Sequence, residues 1–222
     1  MRLKILYEDA NILAINKPSG VLVHSDNRSK EKTILELLSK KYPKIVLAHR
    51  LDKETSGVLL LAKNEKAYQF LKKQFQERTI KKIYITVVSG NVKNDRGVIN
   101  KPIGRSPKDF RRYLAGRGVR GELREAITEY RVLKRLPGFT VLEVRPKTGR
   151  THQIRVHMKF LNHPVACDSL YNPGKLCPKG ISRLALHAKS IEFNLPAGRQ
   201  GNLKGDSVKV ESSLPLDFKK LL

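Results

Sequence analysis

The stretch "AITEYRVLKRLPGFTVLEVRP", residues 126–146, decides the fold class. Runs rich in Ile, Thr, Tyr, Val and Phe flank Pro137-Gly138, so the chain reads as two strands folded back on a tight turn. Working outward, "KKIYITVVSG" (81–90) alternates Ile83, Ile85 and Val87 against Tyr84, Thr86 and Val88, the period of a strand. "ILAINKPSGVLVHS" (12–25) reads as a strand, a Pro-Ser-Gly turn and a second strand. "SGVLLLAK" (56–63) is a buried strand, and the tail 191–218 suggests two short strands around a Gly-rich loop. Helices are few. "TILELLSKKY" (33–42) opens with Thr33 and carries Glu36 three residues on, a capping box. "NEKAYQFLKKQFQER" (64–78) spaces apolar residues at 67, 70, 71 and 75. "THQIRVHMKFL" (151–161) predicts a helix capped by Thr151, with Ile154, Met158 and Leu161 on one face and Arg155 beside it. Strands in adjacent pairs with few helices between them imply the α+β class, a mixed and largely antiparallel sheet with peripheral helices and loops.

The length of 222 residues suits a single domain spanning 1–222, and 40% hydrophobic residues place it among globular chains. Lys and Arg number 45 against 20 Asp and Glu, a net charge of +25. Such self-repulsion points to a nucleic-acid partner, because a phosphate backbone rewards many cationic contacts by counterion release, and it disfavours self-association, so a monomer is expected. Two cysteines, Cys167 and Cys177, without a CxxC imply reduced thiols. Glu8, Asp9 and Asn11 interrupt the apolar N-terminal runs, which excludes a signal peptide, and no stretch approaches the roughly 18 apolar residues of a membrane helix. A cytoplasmic protein is expected. "KPIGRSPKDFRRYLAGRGVRG" (101–121) carries seven basic residues and one acid, Asp109, and reads as a mobile basic loop. Within it Gly116, Gly118 and Gly121 match GxGxxG, but no apolar strand precedes them and no amphipathic helix follows, so a dinucleotide site is excluded. His152, His157, His163 and Cys167 fit no zinc spacing and sit among basic residues; they read as core or RNA-facing groups, with no metal.

One acid stands out. In "LAHRLDKETSGVLLLAK" (47–63), Asp52 lies between Arg50 and a Thr-Ser-Gly turn at the lip of a run bound for the core. Taken alone it reads as a turn residue. Its basic neighbours would keep it ionised, and the buried run would hold it rigidly, as a nucleophile or base requires. Beside RNA such a carboxylate suits chemistry at the sugar, attack at C1′ or proton removal at C2′. A glycosidase would need a second acid at a matching position, and none is evident, Glu54 being only two residues on. A non-catalytic RNA binder would have no need of the acid.

At these residues the chain resembles the RluA-type pseudouridine synthases. "HRLDKETSG", "KKIYITVVSG" and "TGRTHQIRVHM" resemble the family's three signature motifs. Further segments agree in order along nearly the whole chain, among them "EDANILAINKPSGVLVH", "KPIG", "LALHAKSIEF" and "LPLDF". The resemblance implies isomerisation of uridine to pseudouridine in structured RNA, rRNA or tRNA, by base flipping, with no cofactor and no metal. It implies Asp52 as the catalytic carboxylate, Tyr84 as the aromatic that stacks on the target base, and Arg155 as the salt-bridge partner that orients Asp52. Replacing Arg155 by Ala is then expected to lower turnover and leave folding largely intact. Arg50 would help fill the space left by the flipped base, and Arg105, Arg111, Arg112 and Arg150 would bind substrate. The segment 101–121 matches the family's RNA-gripping loop. Many relatives carry an N-terminal S4 RNA-binding module, and here similarity to the catalytic domain begins within the first ten residues, so none is expected. The family's Gly-Asp pair after the third motif appears here as Cys167-Asp168.

Overall fold

The computed structural model describes residues 3–25, 31–175, 177–196 and 206–222. In chain order the elements begin with β1 (Lys4–Glu8), β2 (Ile12–Lys17), α1 (Ile34–Ser39), β3 (Val46–Leu47), β4 (Ser56–Ala62) and α2 (Glu65–Gln76). There follow β5 (Lys81–Ser89), β6 (Arg96–Asn100), β7 (Ile103–Arg105), β8 (Tyr113–Ala115), β9 (Arg120–Arg124), β10 (Ile127–Leu136) and β11 (Phe139–Pro146). The last elements are α3 (Gln153–Phe160), β12 (Leu186–Asn194), β13 (Ser207–Glu211) and α4 (Leu216–Lys219). Strand dominates helix, as the α+β reading expects. The chain divides into two compact units, one of Met1–Lys82 with Ala188–Ser213, the other of Ile83–His187 with Leu214–Leu222.

In the first unit β2 pairs antiparallel with β1 and β4, β3 extends β4, and β13 pairs antiparallel with β12. Its core gathers Ile12, Ala14, Val58, Leu60, Leu71 and Phe193. All seven residues of β4 are buried, so this strand is the rigid centre of the unit. Helix α1 starts with the expected capping box, Thr33 and Glu36 each bonding the other's backbone N–H. The second strand expected after Pro18-Ser19-Gly20 is absent. Lys17 is fully buried and draws in the carbonyls of Pro18 and Val21, while Leu22 and Val23 offer theirs to the N–H groups of Ile34 and Leu35. Those main-chain groups are spent on a turn and on the start of α1, leaving no ladder.

In the second unit the hairpin of β10 and β11 forms around Pro137-Gly138, with Leu136 opposite Phe139. β5 flanks β11 and β6 flanks β10, all antiparallel. The core collects Val87, Leu142, Val144, Met158 and Leu186. The segment read as a mobile loop is a three-stranded antiparallel sheet, β8-β7-β9. Two of its strands are three residues long, too short for any period to show in sequence; Gly116 and Gly118 take positive φ between β8 and β9, and Gly121 does so within β9. Helix α3 begins later than expected. Its first flanking residue is His152, in the left-handed region at φ 56°, with no side-chain cap, so Thr151 does not serve as one. Cys167 and Cys177, read as reduced thiols, are joined in a disulfide, their Cα atoms 5.3 Å apart. Their spacing in sequence does not show that the chain doubles back between them. Among the described residues no helix is long and apolar enough to cross a membrane.

Candidate active site

In the first unit Asp52 sits half-buried at the turn that leads into β4. The turn is held by its main chain. Thr55 N–H donates to the Asp52 carbonyl at 3.1 Å, and Gly20 N–H to the Lys53 carbonyl at 2.9 Å. Lys17 Nζ donates to the carbonyls of Pro18, Val21 and Lys53, each at 2.8 Å, one acceptor for each ammonium proton. Ser19 Oγ donates to the Glu54 carbonyl at 2.6 Å. The KPSG turn is therefore a clamp on the residues just past the acid. On the other side, Leu60 N–H donates to His49 Nε2 at 3.0 Å, extending the β3–β4 ladder by a side chain. That contact needs a neutral ring, and burial, aided by the charge of Lys82, pushes the His49 pKa down to about 3. Burial also lowers Lys82 itself, to about 8. Gly57, in the Thr-Ser-Gly turn, has φ +110°, and a Cβ there would meet the carbonyl oxygen of Ala188 well inside contact distance, so no side chain fits. Arg50 is exposed.

In the second unit Tyr84 lies half-buried on β5 opposite Val144 and packs against the core. Arg155 projects from α3 into a buried network. Its Nε and Nη2 donate to Asp168 Oδ2 and Oδ1 at 2.7 and 2.9 Å. Asp168 Oδ1 also accepts the N–H groups of Leu170 at 2.9 Å and Tyr171 at 3.0 Å. Burial acts to raise the Asp168 pKa, but Arg155 and the two N–H groups together outweigh it and hold the carboxyl below its usual range. The Arg155 guanidinium lies 5.1 Å from the centre of the Tyr171 ring. The Tyr171 hydroxyl accepts Tyr113 N–H at 2.9 Å and lies 3.0 Å from His152 Nδ1. Tyr171 thus ties β8, in the small basic sheet, to the arginine on α3.

The polar residues of the third motif are mostly bolts. Gln153 accepts from Thr148 Oγ1 and Arg150 N–H and donates to the Ile127 carbonyl and Thr128 Oγ1, at 2.7–3.0 Å. His157, fully buried, bonds Thr128 Oγ1 and the Lys101 carbonyl, and desolvation lowers its pKa. His163 Nδ1 meets the Ser89 carbonyl at 2.9 Å. Among the described residues no cluster of His, Cys, Asp and Glu could hold a metal.

The arginines named as substrate contacts fall in different settings. Arg105 is exposed on β7, its guanidinium 5.6 Å from the Tyr113 ring centre. Arg111 pairs with Asp109 at 2.9 Å, and Arg112 Nε lies 3.5 Å from the same carboxylate. Arg150 Nε donates to the Glu125 carbonyl at 2.8 Å. Sequence reasoning missed Lys17, which its "INKPSG" setting could have flagged as a lysine inside an apolar strand, and Asp168. The signal for Asp168 was the Gly-Asp pattern, and Cys167 explains it. Cys167 has φ +57°, the left-handed backbone that Gly adopts without cost, so this chain keeps the turn geometry with a different residue. Cutting Arg155 back to Ala would leave Asp168 charged and buried, which sets a folding cost against the expectation made for that change.

A family model described as RNA pseudouridylate synthase matches residues 11–160. The chain is 36% identical over 231 residues to "Uncharacterized RNA pseudouridine synthase YlyB" of Bacillus subtilis (strain 168), covering 100% of this chain and 72% of that protein. It is 35% identical to "Ribosomal large subunit pseudouridine synthase D" of Xanthomonas campestris pv. campestris, covering 99% and 68%. Among solved structures, "Human RNA Pseudouridylate Synthase Domain Containing 4" is similar with a TM-score of 0.77 at 28% identity, covering 97% of this chain and 90% of that one.

Proposed function

The chain belongs to the RNA pseudouridylate synthase family, isomerases that convert uridine in RNA to pseudouridine, and on that premise we propose that it modifies uridines of large-subunit ribosomal RNA with Asp52 as its reactive carboxylate. The observation that carries the Asp52 assignment is the clamped turn: Lys17, Gly20 and Ser19 hold the carbonyls of Lys53 and Glu54 in one geometry. A reacting group must be held within a fraction of an ångström, and this mount supplies such restraint. The ribosomal relatives favour rRNA over tRNA.

In this reading the target uridine leaves its stack and Tyr84 covers the flipped base. The bond between C1′ and N1 breaks, by attack of Asp52 at C1′ or removal of the C2′ proton, and both routes need the carboxylate ionised. The freed uracil turns and bonds to C1′ through C5; C5 then releases its proton, N1 takes one up, and in the second route C2′ regains its own, so the product is an isomer of the substrate. Arg155, braced by Asp168, orients Asp52, and Arg50 occupies the space the base leaves. Arg105, Arg111, Arg112 and Arg150, with the basic segment 101–121, hold the RNA. Residues 1–222 act as one catalytic domain, a cytoplasmic monomer that needs neither metal nor cofactor.

The test is direct. Purified protein and unmodified large-subunit rRNA should yield pseudouridine, mapped by mass spectrometry of RNA digests. Asp52→Ala should lose at least about 10³-fold in rate, some 4 kcal/mol of barrier, while still binding RNA. Conversion by Asp52→Ala at the wild-type rate overturns the assignment.

A further inference from the structure

We propose that Phe110 is a stacking residue that takes an unpaired base of the RNA substrate onto its ring; the inference rests on the RNA reading above and names a contact that reading lacks. Phe110 stands in the turn joining β7 to β8, and 65% of it is exposed. The turn is built to hold its position. Ser106 N–H donates to the Arg112 carbonyl at 3.0 Å and Arg112 N–H to the Asp109 carbonyl at 2.9 Å. Ser106 Oγ accepts the N–H groups of Lys108 and Asp109 at 3.3 and 3.4 Å. The Asp109 carboxylate accepts Arg111 N–H at 2.9 Å and the Arg111 guanidinium at 3.1 and 2.9 Å. The residues on both sides of the ring are thus pinned, and an apolar ring is presented to water at a cost in hydration.

Charge selects what covers that ring. The segment Lys101–Arg120 holds seven basic residues and the single acid Asp109. An apolar protein patch gains nothing from such a surround, whereas a polyanion is drawn to it. The part of a polyanionic RNA that can cover an aromatic ring is a base face, and only an unpaired base exposes one to a turn tip. Asp109 refines the choice. The charge and hydrogen bonds of Arg111 keep it ionised, with its pKa down to about 2, and its pairing occupies that guanidinium beside the ring. The ring takes the base, and the flanking cations are left to the backbone. A phenylalanine has no polar atom for reading base edges, so the contact tolerates any base.

The experiment measures binding of an RNA stem-loop from the modified rRNA region, with 2-aminopurine in its unpaired positions, across a salt series. Phe110→Ala should weaken binding about tenfold. The slope of log affinity against log salt should stay as in wild type, because no charge is removed. Phe110→Trp should restore affinity and quench the 2-aminopurine fluorescence. Affinity of Phe110→Ala within twofold of wild type at every salt overturns the proposal. So does failure of Phe110→Trp to restore binding, or a changed salt slope, which would place the effect on the arginines. Pseudouridine is assayed in parallel with the wild-type protein. Its absence would sink the isomerase reading while leaving the binding comparison to be judged separately.

Discussion

At Asp52 the described restraints act on the main chain around the acid: Thr55 N–H on its own carbonyl, and Lys17, Gly20 and Ser19 on the next two. At Asp168 they act on the carboxylate itself, which holds two edges of Arg155 and two backbone N–H groups. Both are aspartates at turns in a strongly basic chain. The first set positions the main chain beside Asp52; the second ties the oxygens of Asp168 to Arg155 and to the turn that follows. Hydrogen bonds to a carboxylate lower its pKa and its reactivity together, so the second arrangement makes a brace.

The contrast can be broken by substitution. Asp168→Asn should destabilise the fold by about 3–5 kcal/mol in urea unfolding, because it strands the buried Arg155 charge. Asp52→Asn, which is inactive in the proposed reading, should cost less than Asp168→Asn, because Asp52 is only half-buried. Equal losses from the two changes would erase the distinction. Next in size, Lys17→Met should cost about 2 kcal/mol, since it removes the ammonium donor from the Pro18 and Val21 carbonyls and one of two donors from that of Lys53, and should slow turnover at saturating RNA by loosening the Asp52 turn. A stability loss with unchanged turnover would show that the clamp does not aim the acid. The most graded effect is that of pH. His49 and His157 have pKa values below the ordinary 6.5, so the unfolded chain takes up protons that the native one refuses. Stability should be full above about 6.5 and fall as pH drops below it. Asp168, also lowered, adds a second loss as pH falls below its ordinary 3.8. Unfolding midpoints measured from pH 7.5 to 3 should show both stages, and Asp168→Asn should lack the second.

Legibility followed the length of the signal. The hairpin at 126–146 could be read because two long β-prone runs meet at Pro-Gly, and α1 because Thr33 and Glu36 announce their own bonds. The basic sheet could not, since three-residue strands carry no period and composition speaks only of charge. Val21–Ser25 looks like a strand by every local rule, and one buried ammonium overrides them. Thr151 has the side chain for a cap, but the left-handed turn at His152 moves the helix start past it. Asp52 was legible as a candidate through its motif. Its restraint was not, because Lys17 and Lys53 are joined only by folding. Asp168 was legible as half of the Gly-Asp pair, with Cys167 in place of the glycine, but its bond to Arg155 was not, because folding alone joins the two.

The backbone of Ala188 presses so close to Gly57 that nothing larger than hydrogen fits between them. The unit that carries Asp52 is therefore completed by strands made more than roughly a hundred residues later in synthesis. Its assembly has a high contact order, and the loop entropy must be met before those strands reward it. A nascent chain stalled before Leu186 lacks β12 and leaves the edge of β4 that meets it uncovered. The order of synthesis thus acts as a timer: the strongly cationic segment 101–121 is made well before the strands that complete the unit holding the Asp52 turn.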